Sequence, residues 1–325
     1  ANWVAAGNPG WSWENILPVL RRLEHDADYP DDPLHGREGP LFLRRPASFE
    51  TLSALPRALL ESAEKLGIPR CPDTNVPNPM GVAIFPRTVK NGVRQSTAVA
   101  YLNPVRARKN LETRSEAPVV RLEVSGERVT RVHYRSGGGE HSVTGEKIIL
   151  CAGAFRTPQI LMLSGIGPKA ELERHGIPVR HPLEGVGANY HDHGTVYMSF
   201  ESLKEGAAIA YRPSVEGAGT LTVGLLAKSE PTRKFIDLHI LLRPPVEIVG
   251  TQPLLTFSVN LLEQRQRGRV YLRSADPVDL PGIDPQTLVD DDDLKATLGG
   301  MGIVQRLVRT PPLSDVKPRV AQDRV

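Results

Sequence analysis

Apolar positions recur at helical spacing in several stretches of the chain. Across 52–66, Leu55, Leu59, Leu60 and Ala63 fall on one side of a helix, and Gly67 stops it. Across 12–24, Ile16, Leu20 and Leu23 share a face, Ser12 stands as cap, and Pro18 lies in the early turns where it does least harm. Trp11 and Trp13 read as packing anchors beside that helix. Residues 290–308 open on Asp290, Asp291, Asp292 and Asp293, negative charge placed where a helix dipole favours it. Calcium would need an oxygen-rich loop with a central glycine, which this run lacks, so a helix start is preferred. A short helix is expected at 170–175, ended by Gly176, and Ser96 reads as the cap of another at 98–102.

Elsewhere the pattern is that of strands. Runs at 118–124, 129–135 and 142–151 are joined by Ser125-Gly126-Glu127 and by Gly137-Gly138-Gly139, and predict an antiparallel meander. Further runs at 196–200, 221–226, 235–242, 255–261 and 268–272 predict one large antiparallel sheet. Within the meander's last run, Ile148-Ile149-Leu150-Cys151 is apolar at every position, which suits a strand buried on both faces. Ala152, Gly153 and Ala154 follow with almost no side-chain bulk, so another molecule can approach the backbone. Thr157 can cap a helix, Pro158 suits its first position, and Ile160, Leu161 and Leu163 give it an apolar face. A strand, a small-residue turn and a helix N-terminus can present N–H groups to an anionic or flat cofactor. From spacing alone, an ordinary strand-to-helix turn competes with that reading.

Composition narrows the class. The 325 residues suffice for one large domain or two ordinary ones, and 40% apolar with 24% charged residues is a globular balance. The net charge of +3 comes from 40 basic and 37 acidic residues with no basic block, so nucleic acid is not expected as a partner. No apolar run is long enough to span a bilayer. Two cysteines, Cys71 and Cys151, make no disulfide framework, so a reducing, cytoplasmic location is the expectation. His191-Asp192-His193 invites a metal reading, but no further cluster of ligand residues stands nearby in sequence, and no metal is expected. Asn189, Asp192 and His193 are expected to form a buried hydrogen-bonded corner.

From Gly153-Ala154 through Thr157-Pro158-Gln159-Ile160-Leu161 to Leu163-Ser164-Gly165-Ile166-Gly167-Pro168, the chain resembles the second signature of the glucose-methanol-choline (GMC) oxidoreductases, FAD enzymes that oxidise alcohols. Other elements resemble the same family: Gly7-Asn8 with Trp11-Ser12-Trp13, His35-Gly36 with Gly39-Pro40, Gly92 to Leu102, Gly185-Val186-Gly187 with Asn189 and Asp192-His193, and Arg267-Gly268 to Asp276-Pro277. The resemblance implies an α+β chain, with an α/β FAD-binding part and a large antiparallel substrate-domain sheet. It divides the chain into an opening helix and connection at 1–35, a first substrate-domain part at 36–100, part of the FAD-binding domain at 101–190, and a second substrate-domain part at 191–325. It implies FAD as cofactor and a small alcohol as substrate. Val119 aligns with a strand valine that meets the adenine through its backbone. The implied cofactor-binding set is Val119, Cys151, Ala152, Gly153, Ala154, Thr157, Pro158, Asp192 and His193.

The resemblance spans only the middle of the family. Gly165/Gly167, Gly185/Gly187 and Gly217/Gly219 each lack the third glycine of a G-x-G-x-x-G fingerprint, having Ala170, Tyr190 and Thr222 there. The family's H-P-x-G-(T/S) segment, which holds the general base, is not found, so no catalytic residue is assigned. A partial sequence, inactive by itself, is therefore expected. In the complete protein, a proton would leave the alcohol and a hydride would pass to flavin N5. A non-catalytic binding module, or one subunit completed by another chain, stand as alternatives.

Overall fold

A computed structural model describes residues 2–202, 223–243, 254–316 and 318–320. Their contacts divide them into two compact units: Ala1–Leu111, Thr195–Glu263 and Lys295–Val325 form the first, and Glu112–Gly194 with Gln264–Leu294 the second. Together they carry the mixed helix and antiparallel-sheet content that the hydrophobic patterning predicts.

The first unit is built on a six-stranded sheet in the order Pro318–Val320, Thr195–Ser202, Leu254–Leu261, Leu238–Arg243, Val223–Ala227, Gly81–Ile84, with every pairing antiparallel. The four central strands fall on expected runs, except that residues 221 and 222 lie outside the described residues, as does the Gly217/Gly219 pair. The rest of the sheet departs from the pattern in its added and missing strands. Gly81–Ile84, buried throughout, is an edge strand hidden behind a Pro- and Asn-rich loop that masks its four-residue signal. The run at 268–272 does not join this sheet: Arg269–Tyr271 pairs with Gly282–Asp284 inside the second unit. Alternation identifies a strand without identifying its partner.

The helix Ala54–Lys65 sends Leu55, Leu59, Leu60 and Ala63 into one cluster with Val82, Leu225, Ile240 and Phe257 of the sheet. Asp291–Val308 adds Ala296, Ile303, Val304 and Leu307 to the same cluster. At about 1.5–3 kcal/mol for each large apolar side chain fully buried, this layer dominates the unit's stability. The helix Trp13–Leu23 differs from expectation. Ser12 caps it, its Oγ accepting the Asn15 N–H at 3.4 Å, yet none of its residues is buried. Leu20, Leu23, Trp11 and Trp13 are exposed, and the Trp11 ring packs on Trp3 with centroids 4.5 Å apart. An apolar stripe marks a face, and among the described residues no buried core lies against this one.

The second unit holds the meander Val119–Ser125, Arg128–Ser136, Gly139–Thr144 and the helix Gly153–Leu163. Ser164 locks the helix end to the meander: its Oγ accepts the Leu122 N–H at 2.8 Å and donates to the Ile160 carbonyl at 2.5 Å. Met162, Leu172, Val186 and Leu272 form a small core. The expected strand at 148–151 is not formed. The backbone is irregular from 145 to 152, Ile149 is 82% exposed and Cys151 is exposed rather than a buried hydrophobe. A strand needs a ladder partner for its N–H and C=O groups, and none stands beside this run among the described residues. The helix also starts earlier than expected. Gly153, at φ +80°, turns the chain directly into it, and Ala152 gives no side-chain cap. Thr157 and Pro158 therefore lie inside the helix, neither capping nor opening it.

Candidate functional site

The Gly153–Leu163 helix is a wall shared by two cavities of the second unit. On one side, a slot of about 630 Å³ is lined by Pro118, Val119 and Val120 of the meander edge, Ile149 to Ala152, and Arg156, Gln159, Ile160 and Leu163 of the helix. Pro277 and Val278 close it from a loop, and Arg135 adds a second guanidinium. On the other side, Ala154, Thr157, Pro158 and Leu161 face Leu183, Gly185 to His191 and Val270 across about 550 Å³. Both volumes lie in the range of small-molecule sites.

Strand geometry explains how Val119 meets the slot. The Pro118 carbonyl accepts the Arg135 N–H at 3.0 Å, so the next residue's N–H and C=O, by alternation, face away from the second strand toward the slot side of the sheet edge. A register shift between Val119 and Arg121 then resets the ladder before Leu122, whose N–H is taken by Ser164. The helix contributes its uncapped N-terminus, whose first N–H groups have no partner within the helix and carry the positive end of the dipole. Nothing lies within 4 Å of where a Gly153 Cβ would stand, so the turn is open to an approaching molecule.

The loop that closes the slot is held to the helix by one buried amide. Gln159, 2% exposed, donates from Nε2 to the Asp279 carbonyl at 2.7 Å and accepts from Arg156 Nη1 at 2.6 Å. Arg156 Nη1 also reaches the Pro277 carbonyl at 3.5 Å. Neither Gln159 nor Arg156 was singled out by the sequence pattern. A glutamine on the apolar side of a helix, between Pro158 and Ile160, was the available clue.

The expected site residues are thus split. Val119, Cys151 and Ala152 line the slot, and Ala154, Thr157 and Pro158 line the second cavity, with Gly153 at the turn between. Asp192 and His193 line neither. They are exposed, and so is Asn189, which corrects the expected buried corner. Asp192 Oδ1 accepts the His193 N–H at 2.8 Å, Tyr190 donates to Oδ2 at 3.2 Å, and burial of the Tyr190 phenol with the Asp192 charge beside it raises its pKa. Residues 191–194 have no regular structure. Asn189 adopts φ 58°, a turn conformation that asparagine tolerates at a surface.

The first unit carries an ionic cluster that sequence spacing did not reveal. His35, 3% exposed, has Nδ1 at 2.8 Å from Glu24 Oε1 and Nε2 at 2.8 Å from Asp73 Oδ2. Arg45 Nη1 donates to both oxygens of Asp26 at 2.9 Å, and Nη2 donates to Asp73 Oδ1 at 2.7 Å. The Tyr29 ring lies against both cations, its centroid 4.3 Å from the guanidinium carbon and 5.4 Å from the imidazole. Burial alone would lower the His35 pKa, but its bonds to Asp73 and Glu24 outweigh it and raise the value. Burial likewise opposes ionisation of Asp73, yet the Asn75 N–H, His35 and Arg45 hold its pKa below normal. Glu24, Asp26 and His35 bring potential ligand atoms within 4.8 Å of one another. An imidazole flanked by carboxylates on both nitrogens is an imidazolium donor, however, so this is an ion-pair network rather than a metal centre. It borders a cavity of about 910 Å³ that includes Arg21, Arg22 and Arg37.

Comparison with known proteins follows the same lines. A family model described as GMC oxidoreductase matches residues 1–195. An uncharacterized GMC-type oxidoreductase of Mycobacterium tuberculosis is 32% identical over 344 aligned positions, covering 99% of this chain and 64% of that protein. The 5-(hydroxymethyl)furfural oxidase of Methylovorus sp. is 32% identical over 314, covering 96% and 58%. Among solved structures, pyridoxine 4-oxidase from Mesorbium loti superposes with a TM-score of 0.88 at 24% identity, covering 100% of this chain and 64% of that one, a likeness of fold. The chain spans less than two thirds of the length of each of these relatives.

Proposed function

This chain belongs to the GMC oxidoreductase family, and we propose that it forms part of an FAD-dependent oxidoreductase acting on a small alcohol, with the second unit contributing to the cofactor part and the six-stranded sheet to the substrate part. The observation that carries the proposal is the slot between the Val119 edge, Ile149 to Ala152 and the Gly153–Leu163 helix. Its chemistry fits the adenylate half of FAD. Apolar side chains of Val119, Val120, Leu150 and Ile160 suit a flat ring, while Arg135, Arg156 and the open helix N-terminus suit phosphate.

When bound, a flavin supplies the hydride acceptor for oxidation at the alcohol carbon. This chain's residues would bind and orient. The Val119 N–H and C=O would recognise the adenine edge, and the open backbone at Gly153 would let the phosphates approach the first helical N–H groups. Ala154, Thr157 and Pro158 would bound the second cavity on the opposite side of that helix. Proton removal from the alcohol is assigned to no residue of this chain.

The test is calorimetric titration of the chain with FAD, ADP and FMN. FAD and ADP are expected to bind and FMN, which lacks the adenylate, to bind far more weakly. FMN binding as tight as FAD, or failure of both FAD and ADP, would overturn the assignment.

A further inference from the structure

The loop that closes the slot folds on itself. Ser274 Oγ donates to Asp279 Oδ2 at 2.5 Å and accepts the Asp276 N–H at 3.0 Å, while the Val278 N–H reaches Asp276 Oδ1 at 2.9 Å. These bonds shape the turn but do not fix it to the helix. That attachment runs through Gln159 and Arg156, which hold the Asp279 and Pro277 carbonyls. The tip of the loop carries little burial of its own, with Val278 64% exposed and Leu280 62%, while Pro281 at its end is buried. The hairpin pairing of Arg269–Tyr271 with Gly282–Asp284 holds the ends of the loop, and the position of its tip over the slot depends on these few polar contacts.

The Gln159 amide satisfies both neighbours at once. The Asp279 carbonyl can only accept and the Arg156 guanidinium can only donate, so the bridging group must offer one donor and one acceptor about 2 Å apart on a planar end. A leucine would leave both partners unmet, and a glutamate would face the Asp279 carbonyl with a second acceptor. An amide buried to 2% exposure for this purpose is otherwise a costly group to bury.

We propose that Gln159 is a positioning residue that holds Pro277 and Val278 as a wall of the slot and so sets its affinity for an adenine nucleotide. The inference rests on the adenylate assignment above. Removing the lock lets the wall leave the ligand, without touching the Val119 edge or the helix N-terminus.

The experiment uses the full chain and Gln159→Glu, with ADP as probe and two readouts: calorimetric affinity across pH, and amide hydrogen exchange at 278–280. At neutral pH the variant is expected to bind ADP about tenfold more weakly, the equivalent of one lost hydrogen bond. Exchange at 278–280 should rise, while exchange across Val119–Ser125 stays at the wild-type rate. As pH falls and the introduced carboxyl takes a proton, it regains an O–H donor for the Asp279 carbonyl. Affinity relative to wild type should then recover, and exchange at 278–280 should fall with it. Because Gln159 also lines the slot, an affinity that recovers while exchange at 278–280 never changes would mean direct repulsion between the introduced carboxylate and ADP, and overturns the inference. Equal ADP affinity in the two proteins, or unchanged exchange at 278–280, overturns the inference and leaves the adenylate assignment standing. A wild-type chain that does not bind ADP overturns the assignment, and the inference with it.

Discussion

Arg45→Met tests the ionic cluster of the first unit most sharply. The substitution keeps an apolar stem of similar length and deletes the guanidinium that serves Asp26 and Asp73 together. Asp26 is 0% exposed. Without Arg45 it keeps only the Asp28 N–H at 3.0 Å and His35 Nδ1 at 3.5 Å, too little to hold a charge away from water. Breaking a buried ion pair by removing one partner costs about 3–5 kcal/mol, a large share of the roughly 5–15 kcal/mol that holds a domain folded. In a unit of roughly 200 residues each kcal/mol moves Tm by about 2–4 °C, so a fall on the order of 10 °C is expected. Scanning calorimetry reads this directly. The double substitution Arg45→Met with Asp26→Leu should recover much of the loss, since replacing both partners with apolar groups removes the uncompensated charge. A single-variant shift under about 2 °C, or a double variant as unstable as the sum of its parts, would refute the view that Asp26 depends on Arg45.

The same cluster sets a pH window. The raised His35 pKa means that its contribution is complete below the ordinary value of 6.5 and is lost as pH rises through the folded value. The lowered Asp73 pKa means that its contribution is complete above 3.8 and is lost as pH falls through the folded value. Stability should therefore be greatest between these limits in denaturant titrations, and His35→Gln should flatten the alkaline side. Gly187→Ala would drive a Cβ against the Val270 carbonyl at a φ of +79°, and is expected to cost several kcal/mol, on the order of an overpacked core position, by urea unfolding of the second unit. Gly153→Val meets no neighbour within 4 Å, so its cost is backbone strain of about 1–2 kcal/mol at φ +80° together with lost access to the turn. FAD occupancy should fall, and unchanged occupancy would remove Gly153 from the site.

The elements carried by local pattern were legible in the sequence. The helical spacing of Leu55, Leu59, Leu60 and Ala63 identified a face that is buried as expected, and runs of alternating apolar residues located the four central strands. Partner choice was not legible, because alternation at 268–272 is satisfied as well by a short hairpin as by a large sheet. The ionic cluster was hidden for a related reason. Glu24, Asp26, His35, Arg45 and Asp73 span fifty positions with no fixed spacing, and each alone looks like a solvated charge. They converge because Glu24–Asp26 pairs with Leu41–Leu43, which brings Arg45 in, and because the Tyr29 hydroxyl donates to the Pro72 carbonyl at 3.0 Å beside Asp73. Family resemblance implied Val119 and the Ala152–Ala154 turn as cofactor-binding residues, but gave no role to Gln159, which bonds a carbonyl 120 residues away.

The run Ile148-Ile149-Leu150-Cys151 shows how composition can be read correctly and geometry wrongly. Four apolar residues suit a strand covered on both faces, yet strand structure is a property of pairs, and this backbone has no partner among the described residues. Ile149, Leu150 and Cys151 instead line the slot, where Ile149 remains 82% exposed. Full burial of such a side chain is worth about 1.5–3 kcal/mol, so leaving it in water forgoes most of that gain. A flat ring laid against Ile149 and Leu150 would recover part of it without requiring the run to pair. The apolar character that suggested a buried strand thus favours a ligand wall, and the binding energy expected there comes from the same hydrophobic surface that misled the strand assignment.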